Sequence, residues 1–196
     1  TLGTWHKLND KGISLRMAVN VSFPEVADPD YADKVLALLE EFQVPASCLE
    51  LELTETAMML DASVSLRNLR LLKQAGVHIV LDDFGTGFSS LSHLSDLPIT
   101  GIKLDRAFVT PLSQLEDNSK QMHIVATMLD LAQRLELETT AEGIEDQNCL
   151  EVIHALGCDR IQGYFYAQPM SVDKLIERAC VSEAVLCDYS GQQSLF

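Results

Sequence analysis

Positive charge is scarce in this sequence: 14 lysines and arginines stand against 29 aspartates and glutamates, a formal net charge of −15 over 196 residues. No run of Lys or Arg interrupts that balance, which excludes the electrostatic footprint of a DNA or RNA duplex binder or of an anionic membrane surface. A phosphate held by such a chain calls for a metal ion as intermediary. Long apolar runs are missing as well. Nothing approaches the roughly 18 apolar residues of a membrane span, and Thr1 to Asp10 has neither the basic start nor the apolar stretch of a signal peptide. The chain reads as cytoplasmic. Its cysteines, Cys48, Cys149, Cys158, Cys180 and Cys187, are odd in number and form no C-x-x-C pair. They read as reduced thiols rather than a disulfide frame or a zinc site. What the sequence does have is apolar side chains, 47% of the total, enough to bury a core and to exclude a disordered chain.

Short β-rich runs alternate with amphipathic helical patterns. The strand candidates are Leu15–Val21, Cys48–Leu53, Val77–Leu81, Gly101–Leu104, Leu137–Ala141 and Arg160–Phe165. Helices are expected over Asp30–Phe42, over Ala62–Ala75 with Asp61 as N-cap and Gly76 as stop, and over Ser119–Leu135. Shorter ones are expected over Ser90–Leu94, Gln147–Leu156 and Val172–Cys180. Such alternation implies parallel strands joined by right-handed crossovers. An open doubly wound sheet and a (β/α)8 barrel both satisfy it. Length favours the open sheet, because a barrel typically takes about 250 residues. The strand ends favour the barrel: Asn20, Glu52, Asp82, Asp83, Lys103, Asp105, Glu142, Glu145 and Gln162 all stand at or just beyond C-terminal ends of strands. In a barrel those ends converge on one mouth, where barrel enzymes carry their chemistry. No glycine-rich phosphate loop follows the first strand, which weakens the dinucleotide-fold reading further.

The tandem Asp82-Asp83, entering Phe84-Gly85-Thr86-Gly87-Phe88-Ser89-Ser90, is the strongest chemical signal. Alone, an Asp-Asp pair is most often a cap or a solvated turn. At the end of an apolar strand, two like charges repel unless a divalent cation offsets them. Carboxylates and an amide carbonyl are the hard oxygen donors that Mg²⁺ or Mn²⁺ prefers, and two such ions form a common phosphodiesterase apparatus.

Six ordered motifs then carry a family likeness: Val19-Asn20-Val21-Ser22, Glu52-Leu53-Thr54-Glu55, Asp82-Asp83-Phe84-Gly85-Thr86-Gly87, Ile102-Lys103-Leu104-Asp105, Ala141-Glu142-Gly143-Ile144-Glu145, and Gln162-Gly163-Tyr164 through Pro169-Met170. In order and spacing they resemble the EAL domain of bacterial signalling proteins, from about residue 5 to residue 180. The resemblance implies a TIM-like (β/α)8 barrel that binds cyclic di-GMP and hydrolyses it to the linear dinucleotide pGpG with a two-metal Mg²⁺ or Mn²⁺ site. It implies that Asn20, Glu52 and Asp82 hold one metal, and that Asp82 bridges to a second held by Asp83 and Glu142. It places Lys103 near the attacking water and Gln162 near the second metal. Glu55, beside Thr54, would prop the loop that starts at Phe84, a loop linked in the family to homodimerisation. Asp105 and Glu145 suit either an outer supporting role or helix N-terminal acids equally well. The histidines share no ligand spacing and read as ordinary surface or half-buried groups.

One family feature is missing: the Glu-Ala-Leu itself, whose glutamate would be a metal ligand. Only residues 1–14 precede Leu15, and the one near match, Glu183-Ala184-Val185, follows the last helix. The barrel is therefore expected to be incomplete at its N-terminus, with about six βα units, residues 1–180 forming the domain without its first strands and 181–196 a tail. Because the other ligands match, a fragment of a longer protein is preferred, with regulatory domains elsewhere in the parent chain; the cytoplasmic domain of a membrane-anchored sensor is one form that parent can take. A shortened chain that binds cyclic di-GMP without cleaving it, or that serves as a dimerisation module, is the alternative.

Overall fold

The computed structural model describes residues 2–54, 63–86, 94, 96–114 and 119–178. Six strands form one sheet: β1 (Met17–Asn20), β2 (Leu49–Thr54), β3 (His78–Phe84), β4 (Gly101–Leu104), β5 (Glu138–Glu142) and β6 (Arg160–Gln162). Every adjacent pair is parallel, and the order in the sheet is the order in the sequence. A doubly wound sheet would reverse its strand order at a switch point. The absence of a reversal makes this a singly wound sheet of the barrel type. Its curvature is visible in the side chains: Arg160 on β6 reaches Glu50 on β2 at 3.4 Å, although three strands lie between them. The sheet is thus a curled part-barrel, and among the described residues no strand pairs with the outer edge of β1 or β6.

Helix α1 (Leu2–Asn9) precedes the sheet; the crossovers carry α2 (Phe23–Val26), α3 (Tyr31–Glu41), α4 (Ser63–Gln74), α5 (Arg106–Val109), α6 (Lys120–Arg134) and α7 (Gln147–Ala155); and a helix over 172–178, α8, follows β6. None is long and apolar enough to cross a membrane. Four N-termini are closed by the side chain before them: Asp105 accepts from Ala107 N, Ser119 from Met122 N, Asp146 from Cys149 N and Ser171 from Lys174 N.

The strands alternate in an inside-out sense. Leu49, Leu51 and Leu53 of β2, with Ile79, Leu81 and Ile102, pack outward with Leu69 and Leu72 of α4. The residues between them, Glu50 and Glu52, face the concave side and are buried there. A second apolar cluster gathers Leu104, Val109, Val125, Leu129, Ala141, Ile144 and Ile153 around α5, α6 and α7. Asn68, fully buried on α4, donates to the carbonyls of Val26 and Asp28 and so ties that helix to the segment after β1.

Two strand limits need correction. β3 continues past Leu81 through both aspartates to Phe84, because the chain slips its register there instead of ending. β6 stops at Gln162, short of Phe165: the chain turns, with Phe165 N donating to Ile144 O and Tyr166 N to Gly163 O. Helix α1 was not expected from the pattern; Trp5 and Leu8 bury its inner face, and Gly12 at φ 77° follows it. The expected helix Ser90–Leu94 (Leu94 apart), the Asp61 cap, Glu55, residues 179–180 and the tail 181–196 lie outside the described residues.

Candidate metal and active site

Successive strand residues point to opposite faces, so a regular strand would send Asp82 and Asp83 apart. The backbone breaks that alternation. Asp83 adopts φ 55°, and the register between β3 and β4 shifts between Leu81 and Phe84. Aspartate is among the few non-glycine residues that tolerate this left-handed conformation. Asp82 Oδ1 accepts from Asp83 N at 3.0 Å, and Thr86 donates its backbone N and its Oγ1 to Asp83 O at 3.2 and 2.9 Å. Gly85 follows at φ 96°, where a Cβ would run into Met128 and Phe108.

The result is convergence. Asp82 and Asp83 at the end of β3 and Glu142 at the end of β5 each offer a carboxylate oxygen, all within 4.8 Å of one another. Between them, on the central strand β4, stands Lys103 with its side chain 5% exposed. Its Nζ lies 2.6 Å from Glu142 Oε1, 2.9 Å from Glu52 Oε1 and 3.4 Å from Asp82 Oδ1. One ammonium therefore serves carboxylates from three strands, and Asp83 is beyond its direct reach.

Burial alone would lower the Lys103 pKa, but the hydrogen bonds it donates to Glu142 and Glu52 more than offset it, and the ammonium is held well above its usual range. The surplus of negative charge shows on the acids. Burial first, then the charges of Asp82 and Asp105, pushes Asp83 up. Burial likewise raises Glu142, with Asp82 and Glu52 adding to the effect and Lys103 opposing it. Hard oxygen donors with more negative charge than one lysine balances suit Mg²⁺ or Mn²⁺.

The structure brings together Glu52, Asp82, Asp83, Lys103 and Glu142. It sets others beside them by register: Asn20 pairs with Glu52, Thr54 with Asp82, and Gln162 with Glu142 as Cα neighbours. Asp105 caps α5 and also sits against Asp83. Glu145 lines a cavity of about 550 Å³ with Arg106, Glu142, Gln162 and Tyr164. Arg106 escaped the sequence reading, although its place directly after the Lys103-Leu104-Asp105 strand end was a signal. A second charged group was also missed, at the opposite end of the strands. There Arg16 contacts Glu50 at 3.0 Å and Glu138 at 2.6 Å, and Arg160 contacts the same two glutamates at 3.4 and 3.0 Å.

A family model described as EAL domain matches residues 1–169. The cyclic di-GMP phosphodiesterase PA2567 of Pseudomonas aeruginosa is 37% identical over 167 residues, covering 85% of this chain and 28% of that protein. Among solved structures, the PaMucR phosphodiesterase in its c-di-GMP complex superposes with a TM-score of 0.80 at 35% identity, over 89% of this chain and 70% of the other. The EAL domain of Mycobacterium smegmatis DcpA gives 0.84 at 28% identity, over 92% of this chain and 80% of the other.

Proposed function

The chain belongs to the EAL domain family, and from that premise we propose that it is the catalytic part of a metal-dependent phosphodiesterase that opens cyclic di-GMP to pGpG. The observation that carries the reading is the convergence of Asp82, Asp83 and Glu142 around the buried Lys103. Asp82, Asp83 and Glu142, with Glu52 and Asn20 beside them, would hold two Mg²⁺ or Mn²⁺ ions. When bound, such ions neutralise charge on the phosphodiester and lower the pKa of water.

The protein's own groups do the rest. Lys103 is firmly protonated among these carboxylates in the metal-free protein, and the role this supports is to orient water by donating to it and to stabilise negative charge on the reacting phosphate. Glu142, raised by burial, accepts from Lys103 and fixes its direction. Gln162, exposed beside Glu142, offers an amide to the same mouth. Asp83 is held toward the site by its left-handed backbone and by Thr86.

The chain spans about a quarter of the length of PA2567, 28%, so a parent with regulatory domains, homodimerisation, and residues 1–180 as the domain with 181–196 as its tail belong to this proposal. The sequence contains no Glu-Ala-Leu. This chain alone is therefore expected to hydrolyse cyclic di-GMP slowly while still binding it in a Mg²⁺-dependent manner. The same missing glutamate favours the second reading, a receptor or dimerisation module without turnover. Calorimetry with cyclic di-GMP, with and without Mg²⁺, and product identification by mass separate the two. Tight binding indifferent to metal, with no pGpG from a longer form that includes an upstream Glu-Ala-Leu, would sink the enzyme reading.

A further inference from the structure

Two groupings around the mouth share their members. Asp82, Asp83 and Glu142 form the converged carboxylate triad, and Asp82 and Glu142 are also partners of Lys103 Nζ. An oxygen engaged by the ammonium at 2.6 Å is not free to bind a cation on the same lone pair. The lysine is not a mobile surface group that could swing into solvent. It is 4% exposed, stands on the central strand, and its neighbours β3 and β5 deliver the two shared carboxylates from either side.

We infer that Lys103 is an internal counter-cation that competes with the divalent ions for Asp82 and Glu142, and so sets how tightly those ions bind. The inference rests on the metal site proposed above and adds a task for Lys103 that is separate from chemistry. Glu52 makes the exchange feasible. It lies 2.9 Å from Nζ and is outside the converged triad, so one of its two oxygens can keep the ammonium while Asp82 and Glu142 turn to the metal. The arrangement has two consequences. It keeps the carboxylates from repelling one another, and it weakens metal binding both by competition and by leaving a positive charge next to the ions.

The test is the affinity for Mn²⁺ alone, read from the electron paramagnetic resonance signal of free Mn²⁺, on the chain as it stands and on Lys103→Met and Lys103→Gln. Binding is expected to tighten on the order of tenfold or more in both variants, as removal of an adjacent like charge requires. Unchanged or weaker Mn²⁺ binding in folded variants overturns the inference while leaving the metal site intact. Should the variants fail to fold, the unsubstituted chain still decides. The Lys103 Nζ resonance in a ¹H–¹⁵N spectrum should shift as Mg²⁺ saturates the protein, and an unmoved signal at saturation overturns the inference. If no form binds Mn²⁺ or Mg²⁺, the metal reading falls and takes this inference with it.

Discussion

At the lower end of the sheet two arginines face two glutamates, and each arginine touches both acids: Arg16 and Arg160 against Glu50 and Glu138, at 2.6 to 3.4 Å. At the upper end, two residues further along β2 and four further along β5, Lys103 of β4 faces Glu52, Asp82 and Glu142, with Asp83 close by. Both layers line the concave face and both are partly or fully buried. They differ in balance. The lower layer neutralises itself and needs nothing further, as befits a group that joins β2, β5 and β6 across the barrel. The upper layer carries an excess of acid that only an added cation can offset, and it lies at the strand ends where barrel enzymes act. Charge balance thus distinguishes a layer that closes on itself from the layer proposed above to hold metal.

The sharpest way to break this comparison is to neutralise one glutamate in each layer of β2. Glu50→Gln leaves two arginines sharing Glu138; breaking a fully buried ion pair costs about 3 to 5 kcal/mol, and with both arginines partly exposed the loss expected here is about 2 kcal/mol. Glu52→Gln removes one of the surplus acids and should cost less than about 1 kcal/mol, or stabilise, because like-charge repulsion falls. Urea unfolding of both variants without metal reads the difference. Equal losses would mean that the upper layer is as structural as the lower.

Metal affinity should sort the layers in the opposite direction. Asp82→Asn, Asp83→Asn and Glu142→Gln are each expected to weaken Mn²⁺ binding about a hundredfold, which is about 2.7 kcal/mol at 1.36 kcal/mol per decade. Asparagine suits the test at position 83 because it tolerates the left-handed backbone as aspartate does. Glu138→Gln should leave Mn²⁺ affinity within about twofold, since charge at the far end of the barrel is screened and already paired. A smaller effect is expected of Thr86→Val, which removes the Oγ1 bond to Asp83 O at a cost of about 1 kcal/mol. Thr86→Ser should retain the bond and the Mn²⁺ affinity.

The upper layer was legible in the sequence and the lower was not, for a physical reason. Asp82, Glu142 and Lys103 end strands, so their positions in the chain already announce a shared mouth. Arg16 and Arg160 begin strands and look like ordinary polar flanks; only the curl of the sheet shows that they meet Glu50. Even there, Glu50 two residues before Glu52 on an otherwise leucine strand marked an inward charge. The singly wound order could be argued from the converging strand ends, and the sheet confirms it. The bulge at Asp82-Asp83 could not, because alternation predicts opposite faces, and the exception shows only in the turn bonds from Thr86 to Asp83 and in the packing of Phe108 and Met128 against Gly85. Helix α1 escaped for a related reason: Trp5 and Leu8 give too weak a period to reveal a buried face.

The smallest expected effect, and the one most specific to the comparison, is the sign of pH dependence with metal chelated away. Asp83 and Glu142 stand above their ordinary values of 3.8 and 4.5, chiefly through burial. The native state then holds their protons more tightly than the unfolded chain. Their contribution to stability is complete below those ordinary values and is lost as pH rises through the raised native ones, so mild acid favours the upper layer. His78, beside the lower layer, behaves oppositely. Burial first, and the charges of Arg16 and Arg160 after it, hold its imidazolium below 6.5, against the pull of Glu138 and Glu50. The native state resists that proton, so stability is full above 6.5 and declines as pH falls below it. Urea midpoints measured in chelator between about pH 7 and about pH 5 should therefore respond to two variants in opposite senses. His78→Gln should flatten the loss on acidification, and Glu142→Gln should deepen it by removing the acid-favoured group. The same sense of change in both would show that one electrostatic field governs the two layers, and the distinction between a balanced and an unbalanced end would fail.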